Sequence, residues 1–185
     1  MEQKPGPPPA QSTRGGAAVP PARLVRIHRH SLTNVLVVGG TAERRDQVAR
    51  AFHQESPLRA GPFVNVDCTR EEDRLRVALQ EWTATATPAI AAEVHPYQSA
   101  EQGTLFLDHV ERLSPDTQRF LLALARRLHG EAVGRPDGPC AGRLVTGNPR
   151  GLAAAVSEGR FMAALYDALD KVRVELETTA PGTPV

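Results

Sequence analysis

Short apolar runs alternate along the chain with stretches whose apolar residues recur every three or four positions. Val35, Leu36, Val37 and Val38 form one run, ending in Gly39-Gly40, and Val48, Ala49 and Phe52 then share a helical face over residues 45–52. Phe63 to Val66 give a second strand behind Pro62, followed by Leu75, Ala78, Leu79 and Trp82 at helical spacing over residues 70–82. Thr104-Leu105-Phe106-Leu107-Asp108 reads as a buried strand. Ser114-Pro115-Asp116 supplies an N-cap and a first-turn proline for a helix carrying Phe120, Leu121, Leu124 and Leu128. Residues 143–147 make a fourth strand, and residues 151–157 and 161–169 two short helices. Residues 171–177 alternate strictly, with Val172, Val174 and Leu176 on one face, as an edge strand does. A short helix is expected within residues 22–31. Strands alternating with helices predict an α/β domain built on a five-stranded, mostly parallel sheet with helices on both faces.

Composition trims this picture at both ends. Residues 1–21 hold six of the 16 prolines, three of the 15 glycines and almost no large apolar side chain, so they cannot offset the entropy of ordering. They are expected to be a disordered arm, and residues 178–185 a flexible tail, leaving residues 22–177 as one folded domain. Lys plus Arg number 22 against 21 Asp plus Glu, which removes the broad positive charge that non-specific nucleic-acid binding relies on. Cys68 and Cys140 lie far apart with no metal-ligand spacing, so neither a disulfide framework nor a structural zinc site is expected, and a reducing cytoplasm fits. The apolar runs fall far short of the ~18 residues of a membrane span, and the N-terminus lacks the apolar segment of a signal peptide.

In an open parallel sheet, ligands bind beyond the carboxyl ends of the strands. The first strand runs into Gly39-Gly40-Thr41-Ala42-Glu43-Arg44-Arg45-Asp46, where a phosphate-cradling loop G-x-x-x-x-G-K-[ST] would lie. There the second glycine is Arg44 and the lysine is Arg45. The third strand ends in Asp108, placed to hold magnesium, but the next residue is His109. The fourth ends in Gly147-Asn148, an amide where a γ-phosphate sensor would stand.

With these residues in place, the sequence resembles the central AAA+ ATPase domain of bacterial sigma-54-dependent transcriptional activators, the enhancer-binding proteins. The resemblance rests on V-L-V-V-G-G-T-A-E-R-R-D-Q-V-A-R-A-F-H, on S-P-L-R-A-G-P-F-V-N-V-D-C, on G-T-L-F-L-D followed by L-S-P-D-T-Q-R-F-L-L, and on G-N-P-R-G-L and G-R-F-M-A-A-L-Y-D-A-L-D-K-V-R-V-E-L. It covers residues 24–176 and implies a P-loop NTPase core with ATP and Mg²⁺ at the rim and sigma-54 polymerase as the target.

The departures from the family are concentrated where chemistry would occur. Carried over residue by residue, the loop has Ala42 and Arg44 at glycine positions, and a side chain forced to positive φ costs roughly 1 to 2 kcal/mol. Glu43 would repel phosphate. His109 stands where the family has a glutamate that orients the attacking water, and it is read as a loss rather than as a replacement base. Met162 and Ala168 stand at the family's trans-acting arginines, whose loss costs roughly 10³ to 10⁵ in rate in other phosphoryl-transfer systems. The remodelling loop G-A-F-T-G-A has no counterpart between Cys68 and Gly103, where residues 82–88 read W-T-A-T-A-T-P. The helical lid, a receiver domain and a DNA-binding helix-turn-helix are likewise expected to be missing.

The expected site is therefore vestigial: Gly39, Gly40, Arg44, Arg45, Asp46, Asp108 and Asn148 border a nucleotide position without a catalytic residue, a bound metal or a cofactor, ATP with Mg²⁺ binding weakly at best. Arg44 and Arg45 are read as solvated first-turn residues, with anion binding at the helix start as the alternative. His28, His30, His53, His95 and His129 are read as surface or packing residues, and Cys68 as buried. The function expected is that of a pseudo-ATPase serving as a regulatory or scaffolding protein-protein interaction module, its partner an AAA+ relative or a second copy, without direct DNA binding. The alternative is an ATP-binding regulator that associates with full-length relatives.

Overall fold

The computed structural model describes residues 20–84, 103–128 and 142–177. The proline-rich arm, the W-T-A-T-A-T-P stretch beyond residue 84, Cys140, His95, His129 and the C-terminal tail lie outside these residues. The elements run α1 (Pro21–His28), β1 (Val35–Gly39), α2 (Ala42–Gln54), β2 (Phe63–Asp67), α3 (Glu72–Ala84), β3 (Thr104–Asp108), a 3-10 turn (Val110–Arg112), α4 (Pro115–Leu128), β4 (Arg143–Asn148), α5 (Ala153–Ser157), α6 (Ala163–Leu169) and β5 (Val172–Leu176). The expected arm loses its last residue to α1, because Pro21 has the fixed φ of a first helical position and no N–H to leave unpaired.

All five strands are parallel, in the order β2-β3-β4-β1-β5. The sequence pattern explains the order. Every residue of β3 and β4 is buried, as a central parallel strand with helices on both faces requires. β5 alternates buried and exposed residues, and it is an edge, paired only with β1. Successive residues of β1 feed two separate cores. Leu36 joins Leu105, Leu107 and Leu144 beneath α3, α4 and α6, whereas Val35 and Val37 join Phe106, Val145, Val172 and Val174 beneath α1 and α2. At roughly 1.5 to 3 kcal/mol for each fully buried large apolar side chain, these two layers supply most of the drive to fold.

Close approaches fix the ends of the sheet. A Cβ on Gly103 would sit 1.9 Å from the Pro62 carbonyl oxygen, so the entry to β3 admits only glycine. At the start of β4, the Arg143 guanidinium donates to the carbonyls of Phe52 (2.7 Å) and His28 (2.9 Å), tying α2 and α1 to the sheet. With no carboxylate beside it among the described residues, burial pulls its pKa down to about 10.

Candidate functional site

The C-terminal ends of β1, β3 and β4 bring Gly39, Asp108 and Asn148 to one rim, as their parallel register requires. Gly39 (φ 87°) and Gly40 (φ 62°) turn the chain sharply off β1. Helix α2 then begins at Ala42, three residues earlier than its apolar spacing predicts. Thr41 is the reason: its hydroxyl accepts from the Arg44 N–H (3.3 Å) and its carbonyl accepts from the Arg45 N–H (3.0 Å), which is an N-cap. The expected backbone strain at Ala42 and Arg44 is therefore absent, since both are helical. Among the described residues the single non-glycine with positive φ is His109.

Arg44 is exposed, as expected for a first-turn residue, but the expectation of a solvated Arg45 is wrong. Arg45 is 2% exposed. Its first-turn position points the side chain inward across the rim, where Nε donates to Asp108 Oδ1 (2.7 Å) and Nη2 to Asp108 Oδ2 (2.9 Å). Nη1 donates to the carbonyls of Gly40 (2.9 Å) and Gly39 (3.2 Å), and Nη2 also reaches His109 Nε2 (3.3 Å). All five guanidinium N–H groups thus find acceptors within one residue of the rim. A fork of this kind matches a carboxylate in plane, which a lysine ammonium cannot do. Gly147 makes the room: a Cβ there would lie 2.3 Å from Asp108 Oδ1 and 3.3 Å from Arg45 Cδ.

The pair continues into a chain of polar groups. With Nε2 accepting from Arg45, the His109 proton resides on Nδ1 and is donated to Glu111 Oε1 (3.2 Å). Glu111 Oε2 accepts from Asn148 Nδ2 (2.6 Å), and Asn148 Oδ1 accepts from the Arg150 N–H (3.0 Å). His109 is held in its left-handed conformation between these two partners. Residues from the α2 start, the β3 end and the β4 end are joined to one another and not presented to an incoming ligand. Asp46 faces away from the rim, where its carboxylate accepts from Arg50 (2.7 Å) and Asn65 (2.8 Å). Glu43 points to solvent near Thr41, and hydrogen bonds from its own backbone N–H and from Thr41 hold its carboxyl below the usual range.

Two contributors were not singled out from the sequence. Glu111 lies one 3-10 turn past Asp108, and its signal is a carboxylate two residues beyond His109. Gly147 was noted only as a strand end, and nothing in its spacing foretells a contact with Asp108. Cys68 is buried, as expected, and burial followed by the Asp108 and Asp67 charges pushes its thiol far up, so it stays protonated. His53 is a packing residue, with Nδ1 3.0 Å from the Thr104 hydroxyl. Among the described residues no cluster of His, Cys, Asp or Glu could hold a metal, and no helix is long and apolar enough to cross a membrane.

The model for the "Sigma-54 interaction domain" matches residues 20–175. The chain belongs to this family. Among relatives, it is 31% identical over 156 residues to a Nif-specific regulatory protein of Herbaspirillum seropedicae (82% of this chain, 29% of that protein). It is 35% identical over 136 residues to the C4-dicarboxylate transport transcriptional regulatory protein DctD of Pseudomonas aeruginosa (72% and 29%). The chain thus spans under a third of these curated relatives. In fold it is similar to NtrX from Brucella abortus in complex with ATP, with a TM-score of 0.64 at 23% identity over 88% of this chain and 39% of that one. It is also similar to the P-loop NTPase domain of a sigma-54 transport activator from E. coli, with a TM-score of 0.55 at 21% identity over 78% and 97%. The AAA+ core with its 2-3-4-1-5 sheet is present.

ATP and Mg²⁺, which the family implies, do not fit the residues at this rim. A P-loop offers free N–H groups, a lysine and a hydroxyl. Here the N–H groups of Arg44 and Arg45 close the cap on Thr41, the Gly39 and Gly40 carbonyls face a cation, and both oxygens of Asp108 are occupied by that cation.

Proposed function

We propose that this sigma-54 interaction domain is a nucleotide-independent module that acts through its surface, as a regulatory or scaffolding partner of another protein, without turning over ATP. The observation that carries the reading is the bidentate Arg45–Asp108 pair, 2.7 Å at its shorter contact and almost wholly buried. In the family pattern a lysine and an aspartate converge on a nucleotide and its metal. Here an arginine at the lysine position reaches the aspartate directly, so the two charges compensate each other inside the protein. Opening that pair to admit a triphosphate costs both hydrogen bonds and leaves Arg45 in a site shaped for a carboxylate. The other polar groups of the rim are equally engaged, with Asn148 on Glu111 and His109 between Glu111 and Arg45. Met162 and Ala168, at the positions of the family's trans-acting arginines, offer no cation to a neighbouring site.

Calorimetric titration of the purified chain with ATP and Mg²⁺ tests this reading, together with a phosphate-release assay. The expected result is no saturable binding with a dissociation constant tighter than about 1 mM, some 4 kcal/mol, and no phosphate release above background. Micromolar binding, or turnover abolished by Asp108→Ala, would overturn it.

A further inference from the structure

The two edges of the sheet differ in what they offer a further strand. β2 reads F-V-N-V-D, and Asp67 is its one charged residue. β5 with its flanks reads K-V-R-V-E-L-E, and its charges are sorted: Lys171 and Arg173 come first, Glu175 and Glu177 last. These four are exposed, whereas Val172, Val174 and Leu176 face the core beneath α1 and α2. The backbone of β5 is only half used. Val172 donates its N–H to the Asn34 carbonyl (3.2 Å), which sets the parallel ladder with β1. The N–H and C=O of Val172, Val174 and Leu176 therefore turn toward β1, and those of Arg173 and Glu175 turn outward. Among the described residues nothing bonds to that outward row. An open row of this kind is a template for another strand. Arg173 gives Nε and Nη2 to Asp170 and the Tyr166 hydroxyl, but its Nη1 makes no hydrogen bond among the described residues, Glu175 Oε1 lying 3.9 Å away.

The order of the charges decides which strand fits this edge. A two-fold axis at Val174 sets a second β5 antiparallel to the first. Arg173 then lies opposite Glu175 of the other copy and Lys171 opposite Glu177, each pair occurring twice. Both members of each pair turn their backbone outward, so these are the pairs that exchange two backbone hydrogen bonds in an antiparallel ladder. Val174 meets itself, and Val172 meets Leu176, at the intervening positions. The register is specified as well. A slip of two residues sets Arg173 against Arg173 or Glu175 against Glu175, and a slip of one sets outward backbone against inward. Edge charges that only repel strands need no such order.

We propose that β5 pairs antiparallel with β5 of a second copy of this chain, about a two-fold axis at Val174, so that two sheets run on as one. The contact is isologous: the same strand serves both copies, and the assembly closes at two. This deepens the surface-acting role proposed above by naming a partner, and it does not require the rim to be closed. The pairing is short and charge-sorted, so it is weak and weakens with salt, the screening length falling from about 8 Å at physiological ionic strength to about 3 Å at 1 M.

Sedimentation velocity on the full chain up to about 1 mM, with amide exchange read at each concentration, tests the proposal. The unmodified chain should reach a dimer and stop there. On dimerisation the Arg173 and Glu175 amides should slow by ~10-fold or more, while the Val174 amide, which faces β1 in either state, changes little. Glu175→Pro removes an outward N–H and no bond to β1, so it should abolish the dimer and keep the melting temperature. Glu175→Arg with Glu177→Lys makes the strand wholly basic, and Lys171→Glu with Arg173→Glu makes it wholly acidic. Each should stay monomeric, and an equal mixture should pair. A thermal melt checks that each variant folds, and Glu175→Pro decides the matter if the acidic chain, which also loses the Asp170 contact, does not. A strictly monomeric unmodified chain would overturn the proposal, as would a dimer that survives Glu175→Pro or leaves the Arg173 and Glu175 amides unprotected. A monomer that also fails to bind ATP removes this pairing and leaves the closed rim standing. A β5-paired dimer that binds ATP does the reverse.

Discussion

Arg45 and Arg143 are both buried, one at each end of the sheet, and the fold compensates them differently. Arg45, at the C-terminal rim, meets a carboxylate in plane and gives its remaining N–H groups to two carbonyls and an imidazole. Among the described residues, Arg143, at the N-terminal end of β4, meets only the carbonyls of Phe52 and His28, with its guanidinium 5.6 Å from the Phe52 ring and its Nε without a partner. The first arrangement neutralises a charge and uses up a site. The second leaves the charge in place and uses it as a clasp between helices. An enzyme rim keeps its charged groups available to substrate, whereas in this chain the rim is the better compensated of the two ends.

Removing the acid at the rim should have the largest effect. Asp108→Ala strands the Arg45 cation in a buried site, and breaking one partner of such a pair costs about 3–5 kcal/mol. Denaturant unfolding should report a loss of that order. Replacing both partners, as in Arg45→Met with Asp108→Leu, should recover most of it, since two apolar groups of similar volume need no compensation. A double variant as unstable as the single one would mean that Asp108 stabilises the fold through something other than Arg45.

Gly147→Ala probes the same pair without touching either charge. The new Cβ would arrive 2.3 Å from Asp108 Oδ1 and 3.2 Å from Phe106. The ion pair must then shift or the strand must move, at a cost of about 1–3 kcal/mol typical of overpacking. Combined with Asp108→Ala, the substitution should cost much less than it does alone, which a double-mutant cycle would measure. Additive losses would place the strain at Phe106.

These contacts mark where the sequence stops being informative. The strands were legible because burial writes a period: T-L-F-L-D and R-L-V-T-G-N are buried throughout, and V-R-V-E-L alternates as an edge does. The family resemblance placed Arg45, Asp108 and Asn148 at the rim. What those groups do there was not legible, because it depends on pairing across 63 residues of chain and on the space left by Gly147. Arg45 follows Arg44 in the sequence, and local patterning treats both as polar first-turn residues. Only the inward direction set by the Thr41 cap separates the exposed one from the buried one. The glycine replacements in the loop carry no signal of this cap, which Thr41 alone provides.

Arg143→Met tests the other end and should cost less than Asp108→Ala. The variant leaves the Phe52 and His28 carbonyls without their donor, a penalty of about 1–3 kcal/mol for each buried group left unpaired. It also relieves a buried cation whose pKa is already pulled down to about 10, and this offsets part of the loss. Because the clasp holds α1, hydrogen exchange in residues 21–28 should accelerate more than in β3. Uniform acceleration would show that α1 is held by Val25 and Leu24 rather than by Arg143.

The smallest effect concerns His53, which shares the neighbourhood of Arg143. Burial, then the charges of Arg143 and Arg50, depress its pKa below the ordinary histidine value. The neutral ring is hydrogen-bonded to the Thr104 hydroxyl and lies 5.5 Å from the Phe63 ring. The folded state therefore binds the His53 proton less readily than the unfolded chain does. Its contribution is complete above the unfolded value near 6.5 and is lost as pH falls from there through the folded value, with a slope of at most about 1.4 kcal/mol per pH unit for one proton. His53→Gln, which keeps a polar atom near Thr104 and cannot be charged, should flatten the acid side of the stability profile. Arg143→Met should make that fall smaller, because removing one of the two nearby cations raises the folded value toward the unfolded one. If neither variant changes the profile between pH 7 and pH 5, the acid sensitivity of the fold arises elsewhere. Glu72 would then be the next carboxylate to test. Burial raises its pKa, but bonds from Thr117 and Ser114 outweigh that and hold it low, so its contribution also falls away toward acid.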